Sequence, residues 1–236
     1  MANPVLLNNI DHKDLRVITN RGAGYGDEVP FAITFPSEFR NVQAHYPIVF
    51  RKSADGVTFE SIALFGFQDG ENLFLGKNNW DATYLPLMIE RQPFLIGVGG
   101  GELMVHIDLD SPRISATEGE AVFQEHGGST EFLERAYSIL LSIHERLEST
   151  PAFIAALIEN DLLESFVLDI ELNDESQNRL SGFYTINEDK LNTLSGAVLE
   201  RMNKAGYLQA IYMVIASLSH FRALIERKNH RNAALR

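Results

Sequence analysis

The stretch Ala205-Gly206-Tyr207-Leu208-Gln209-Ala210-Ile211-Tyr212-Met213-Val214-Ile215-Ala216-Ser217-Leu218-Ser219-His220-Phe221 holds no Asp, Glu, Lys or Arg. A helix that is apolar all round is buried either in protein or in lipid. Its reading therefore decides whether the rest folds in water. A membrane span wants about 20 mostly apolar residues. This run is shorter, and Gln209, Ser217, Ser219 and His220 interrupt it. The expectation is a core helix running from about residue 208 towards 227, with no membrane span. The same helix could serve a homodimer, because sequence does not separate burial within a chain from burial between chains.

Immediately upstream the pattern stays helical. Ser195 is placed to cap a helix that Gly206 can end. Asn187 can cap a short turn. Residues 166–172 and 179–186 are expected to form a hairpin around Asn173-Asp174-Glu175-Ser176; in its first strand Val167, Asp169 and Glu171 alternate with Phe166, Leu168, Ile170 and Leu172, which marks a sheet with one wet face. Before it, Phe132, Leu133, Ala136, Tyr137, Leu140 and Leu141 recur at helical spacing after a Ser129 cap. Thr150-Pro151 is expected to stop that helix and start another. Downstream, the basic end with Arg227, Lys228 and Arg231 reads as a frayed, solvated helix end.

The first half reads as strands. Residues 29–35 are β-rich and closed by Pro36; Ser37 can cap a short turn over 38–43. Residues 47–52 and 59–67 flank Asp55-Gly56, a hairpin turn signal. Asp69-Gly70 leads into a predicted strand over 72–75. A short helix is expected near Leu85-Pro86, ending before Pro93. Residues 94–98 and 103–108 form a predicted hairpin across Gly99-Gly100-Gly101. The fold class is α+β: an N-terminal, mainly antiparallel β region followed by a helical region with one further β-hairpin. Residues 1–236 are expected to form one domain, β-rich over about 29–110 and helix-rich over about 129–228. No Pro-, Gly- or Ser-rich linker divides them.

Composition narrows the function classes. The chain has 236 residues, 20 Lys+Arg against 32 Asp+Glu, and a formal net charge of -12. A phosphate backbone repels that field, so nucleic acid is not an expected partner. Cysteine is absent, which removes disulfides, thiolate metal sites and thiol nucleophiles. No signal-peptide pattern opens the sequence, so the expected location is cytoplasmic.

Ordered phrases carry a family resemblance. They are Pro47-Ile48-Val49-Phe50, Asp69-Gly70-Glu71-Asn72-Leu73-Phe74, Trp80-Asp81-Ala82-Thr83-Tyr84-Leu85-Pro86 and Arg91-Gln92-Pro93-Phe94. Ile107-Asp108-Leu109-Asp110-Ser111-Pro112, Thr117-Glu118-Gly119-Glu120 and Leu180-Ser181-Gly182-Phe183-Tyr184-Thr185-Ile186-Asn187-Glu188 continue the series. Together with residues 206–218 they make the chain resemble the SapC family over nearly its whole length. Gln92 departs from the family's tendency to an aromatic there. The family takes its name from S-layer genes, which implies a link to S-layer export or surface assembly by name alone. Its members stand beside flavin-dependent, tryptophan-halogenase-like proteins, cupin-like oxygenases and TonB-dependent receptors, which implies an accessory role. The resemblance brings no catalytic residues and no cofactor.

No signature of chemistry completes itself. The glycines of the run from Gly70 to Lys77 are one residue too far apart for a phosphate loop, and Asn78 replaces its Ser or Thr. Gly97-Val98-Gly99-Gly100-Gly101-Glu102 puts a carboxylate where a dinucleotide loop needs its third glycine. The candidate binding residues are Trp80, Asp81, Tyr84, Arg91 and Phe94, because aromatics with a few polar groups are what ligand pockets use; the competing reading packs them in the core. The candidate metal residues are His106, Asp108 and Asp110, which alternate on one strand face; the competing reading is a solvated face. Glu118 and Glu120 could extend them into a carboxylate cluster. The favoured function is a non-catalytic binding or accessory protein. The alternatives are an enzyme using the Asp108/Asp110/Glu118 cluster and an export factor.

Overall fold

The computed structural model describes residues 3–54, 56–99 and 102–234. The strands are β1 (Pro4–Leu6), β2 (Arg16–Val17), β3 (Phe31–Ile33), β4 (Ile48–Lys52), β5 (Phe59–Leu64), β6 (Phe94–Gly99), β7 (Glu102–Asp108), β8 (Ile114–Ser115), β9 (Glu120–Ala121), β10 (Leu163–Glu171) and β11 (Gln177–Ile186). The helices are α1 (Phe39–Val42), α2 (Leu87–Glu90), α3 (Glu131–Glu159), α4 (Glu188–Asn192), α5 (Gly196–Lys204), α6 (Tyr207–Ser217) and α7 (His220–Ala234). Every strand pairing is antiparallel, strands crowd the first half and helices the second, and the fold is α+β. Asp55 and the Gly100-Gly101 pair, the tips of two expected turns, lie outside the described residues.

Contacts divide the chain into two compact units. The first gathers Met1–Glu28, Leu75–Asp81 and Leu87–Glu145. Its larger sheet runs β1-β7-β6 and its smaller one β8-β2-β9. Phe94 and Ile107, opposite each other in the β6–β7 ladder, are buried against Leu133, Ala136 and Leu140 of α3, with Val17 and Val122. The second unit gathers Val29–Phe74, Ala82–Pro86 and Arg146–Arg236 around the sheet β10-β11-β4-β5-β3. Phe35, Phe39, Tyr46, Ile48, Phe50, Ile62 and Phe65 are buried there. Ser217 of α6 accepts the Ile48 amide at 2.9 Å, tying that helix to the end of β4. In β11, Gly182 takes φ +84, a left-handed conformation suited to glycine, where the β10–β11 register shifts.

Several expectations change. Residues 72–75 form no strand. Asn72 Oδ1 accepts the Phe74 amide, which turns the chain, and only Leu73 reaches across to the Phe65 carbonyl. Ser37 and Ser129 are not caps: Ser37 accepts from Arg146, and Thr130 Oγ1 accepts the Leu133 amide. Pro151 does not end its helix. The hydroxyls of Ser149 and Thr150 both fold back onto the Arg146 carbonyl, at 3.0 and 2.8 Å, in the turn the proline disrupts. Asn187 and Ser195 do cap, onto the Lys190 and Val198 amides.

The uncharged stretch is not a wholly buried helix. It breaks at Leu218-Ser219, and α6 buries one stripe, Ala210, Ile211, Val214 and Ser217, while Tyr212 stays 56% exposed. The run Tyr207–Ala234 has the length and composition to cross a membrane, and 28% of its most apolar window is buried. Within the basic end, Arg227, Lys228 and Arg231 are engaged with the protein rather than solvated, and residues 235–236 lie outside the described residues. Lys228 is buried on Glu71, Arg231 donates to the Asn72 carbonyl at 2.7 Å, and the Arg227 guanidinium lies 4.4 Å from the centre of the Phe74 ring. These bonds pin the loop after β5 onto α7.

Breaking a buried ion pair leaves an uncompensated charge. Lys228→Ala should therefore cost about 3–5 kcal/mol in urea unfolding. Lys204→Ala, which removes the exposed i,i+4 pair to Glu200, should cost no more than about 0.5 kcal/mol.

Candidate functional site

A cavity of about 430 Å³ opens in the first unit where the end of β7 meets the turn before β6. It is lined by Tyr25, Gly26, Arg91, Gln92, Pro93, Leu95, Asp108, Asp110, Ser111 and Pro112. Each charged group is placed by the backbone. Arg91 closes the last turn of α2 through its amide to Leu87, and its Nη1 donates to the Phe94 carbonyl at 2.7 Å. Asp108, the last residue of β7, accepts the Asn3 amide at 2.8 Å and the Asp110 amide at 3.2 Å, both on Oδ1.

The wall carrying Tyr25 and Gly26 is anchored by ionic contacts. Asp27 has no exposed surface and lies between two arginines. Arg113 Nη2 donates to both Asp27 oxygens at 2.7 and 2.6 Å, and Arg21 Nη1 reaches Oδ1 at 3.2 Å. Asp27 also accepts the Gly22 amide, while Arg113 Nη1 takes the Ile18 and Asn20 carbonyls. The loop is thereby tied to the segment following β7, and the Arg113 guanidinium stands 5.9 Å from the Tyr25 ring centre. Burial, then the Arg113 charge, push the Arg21 guanidinium below its ordinary pKa, against the pull of Asp27.

Arg91 differs from both. It is half-buried and forms no ion pair among the described residues. Burial alone pushes its pKa below the ordinary arginine value. Asp108 and Asp110 line the same cavity without reaching it. The site thus offers a guanidinium, two carboxylates, a phenol ring and apolar walls. Ser111 accepts the Arg113 amide through its hydroxyl, and no His or carboxylate is bonded to that hydroxyl among the described residues.

The structure separates the residues singled out in the sequence. Arg91, Asp108 and Asp110 come together. Phe94 is core, 1% exposed and packed on Phe132, and lends the site only its carbonyl. Trp80 bridges Leu75, and neither it nor Asp81 lines the cavity. Tyr84 belongs to the second unit, where its hydroxyl donates to the buried Glu38 carboxylate at 3.0 Å and its carbonyl accepts from Tyr46. His106 is not joined with the aspartates as an ion site: its ring lies over Gly97, and no cluster of three His, Asp or Glu fit to hold a metal occurs among the described residues. Glu118 and Glu120 are exposed and do not line the cavity. Tyr25, Asp27 and Arg113 were missed. Their one signal was Arg113 itself, a charge directly following the Ser111-Pro112 phrase.

Residues 7–224 match the family model described as SapC. The chain belongs to the SapC family. Neither the curated proteins nor the solved structures contain a match to it. Several of the phrases that carry the resemblance now have physical roles. Asp69–Phe74 holds the buried Glu71 and Asn72, and Arg91–Phe94 and Asp108–Pro112 form much of the cavity rim.

Two measurements probe these placements. Arg113→Lys keeps the charge but loses the planar fork, and at about 1.5–3 kcal/mol per charge-assisted hydrogen bond it should lower stability by about 3 kcal/mol and speed hydrogen exchange at the Gly22 amide. Burial, then the neighbouring Glu38 charge and hydrogen bond, raise the Tyr84 phenol above the ordinary value. The phenol signal lost in Tyr84→Phe should titrate above pH 10. Unfolded chains ionise this tyrosine near pH 10 and the folded protein resists, so wild-type stability should fall as pH climbs past 10, more steeply than in Tyr84→Phe.

Proposed function

We propose that this SapC-family chain is a non-catalytic binding module whose first-unit cavity holds a small charged ligand. The observation that carries this is the half-buried Arg91 guanidinium, held by a single backbone bond and without an ion pair among the described residues, beside a cavity of about 430 Å³. A charge kept partly from water without a partner is costly. A ligand anion recovers that cost. Cavities of about 300–1,000 Å³ with apolar walls and a few fixed polar groups are the usual form of small-molecule sites. An accessory role beside flavin-dependent halogenase-like or cupin-like oxygenase proteins extends the proposal, and the family resemblance supports that part.

The test is a thermal-shift screen of the full chain against organic acids, amines and amino acids. A ligand at a hundredfold its Kd adds about 2.7 kcal/mol, which is several degrees at this chain length. At least one compound should raise the Tm of the wild type and leave Arg91→Ala unmoved. Equal shifts in both proteins, or conversion of the compound to a new product by mass spectrometry, would count against a binding module at this site.

A further inference from the structure

We infer that the cavity is built for a small zwitterion of amino-acid or dipeptide size, its carboxylate on Arg91 and its ammonium on Asp108 and Asp110. This rests on the binding-module reading and names the ligand class for the same site.

The inference follows from how the charges are spent. Arg91 uses one N–H on the Phe94 carbonyl and has further donors in a planar fork, the geometry that matches a carboxylate. Asp108 receives two amides on the same oxygen, Oδ1. Its other oxygen is given no bond among the described residues. Asp110 is exposed at the rim and forms no ion pair there. Opposite charges thus line one cavity without neutralising each other, which a ligand carrying both signs would do. A purely anionic ligand would face two carboxylates, and a purely cationic one would face Arg91, each at a Coulombic cost. Between the poles, Tyr25, Pro93 and Leu95 supply a ring and aliphatic surface for an apolar body. The volume of about 430 Å³ lies at the small end for ligand pockets. A protein chain terminus would bring only one of the two charges.

Calorimetry on the full chain with three probes of one carbon skeleton separates these cases: L-phenylalanine, 3-phenylpropanoate and 2-phenylethylamine. L-Phenylalanine should bind, with each single-charge analogue weaker by about tenfold or more, the value of one charge-assisted hydrogen bond. Arg91→Gln should erase the preference over 2-phenylethylamine. Asp108→Asn combined with Asp110→Asn should erase the preference over 3-phenylpropanoate. The wild-type comparison stands even if a variant folds poorly. An analogue binding within threefold of L-phenylalanine overturns the zwitterion. If that analogue is 3-phenylpropanoate and Arg91→Gln abolishes its binding, the binding-module reading survives alone. Absence of binding by all three probes also overturns the zwitterion, and the broader screen then decides the reading beneath it.

Discussion

In the first unit a carboxylate with no exposed surface sits between two guanidinium groups, and the geometry of the cavity depends on it. Taking Asp27 out of water costs several kcal/mol unless the charge is answered in place. Arg113 answers it with a two-oxygen contact and spends its other terminal nitrogen on two carbonyls of the same loop. One side chain therefore fixes the course of residues 18–27 relative to the segment after β7. Tyr25 and Gly26 are carried on that loop. The group holds one more positive charge than negative, and in Arg21, the outer member, burial and then the Arg113 charge depress the pKa.

The second unit uses the same device with different geometry. Glu71 is 8% exposed, and it accepts Lys228 on one oxygen and the Phe67 amide on the other. A Cβ at Gly66 would fall 2.5 Å from the Glu71 carbonyl oxygen, so glycine is required for the loop to pass so close to itself. In both units a buried ion pair joins segments distant in sequence, and hydrophobic packing fills in around it. Such pairs add little net stability over an apolar substitute, but losing one member is severe. They select one loop path over others.

Much of the architecture was legible. The strand pairs 48–52/59–64 and 94–99/102–108, the late hairpin and the caps at Asn187 and Ser195 follow from alternation and local hydrogen bonding, which operate over a few residues. What escaped has two physical origins. Pro151 and Asn72 are local, but they reverse the usual rule: back-bonded hydroxyls keep a proline inside a helix, and an Asx turn folds an apolar run that reads as a strand. Arg113 with Asp27, and Lys228 with Glu71, lie 86 and 157 residues apart, and no periodicity encodes such distances. The site was partly visible for the same reason. Arg91, Asp108 and Asp110 stand in distinctive phrases, whereas Trp80 and Tyr84, equally distinctive, are engaged elsewhere.

The separation of Glu71 from Lys228 also orders events during synthesis. A growing polypeptide presents the 66–74 loop long before α7 exists. Until Lys228 emerges, the Glu71 carboxylate lacks its cation, and taking it out of water without one is costly. Every segment of the first unit has left the ribosome soon after Glu145 is made. The first unit's segments all precede residue 146, whereas the second unit's bond between Glu71 and Lys228 joins its early loop to its last helix.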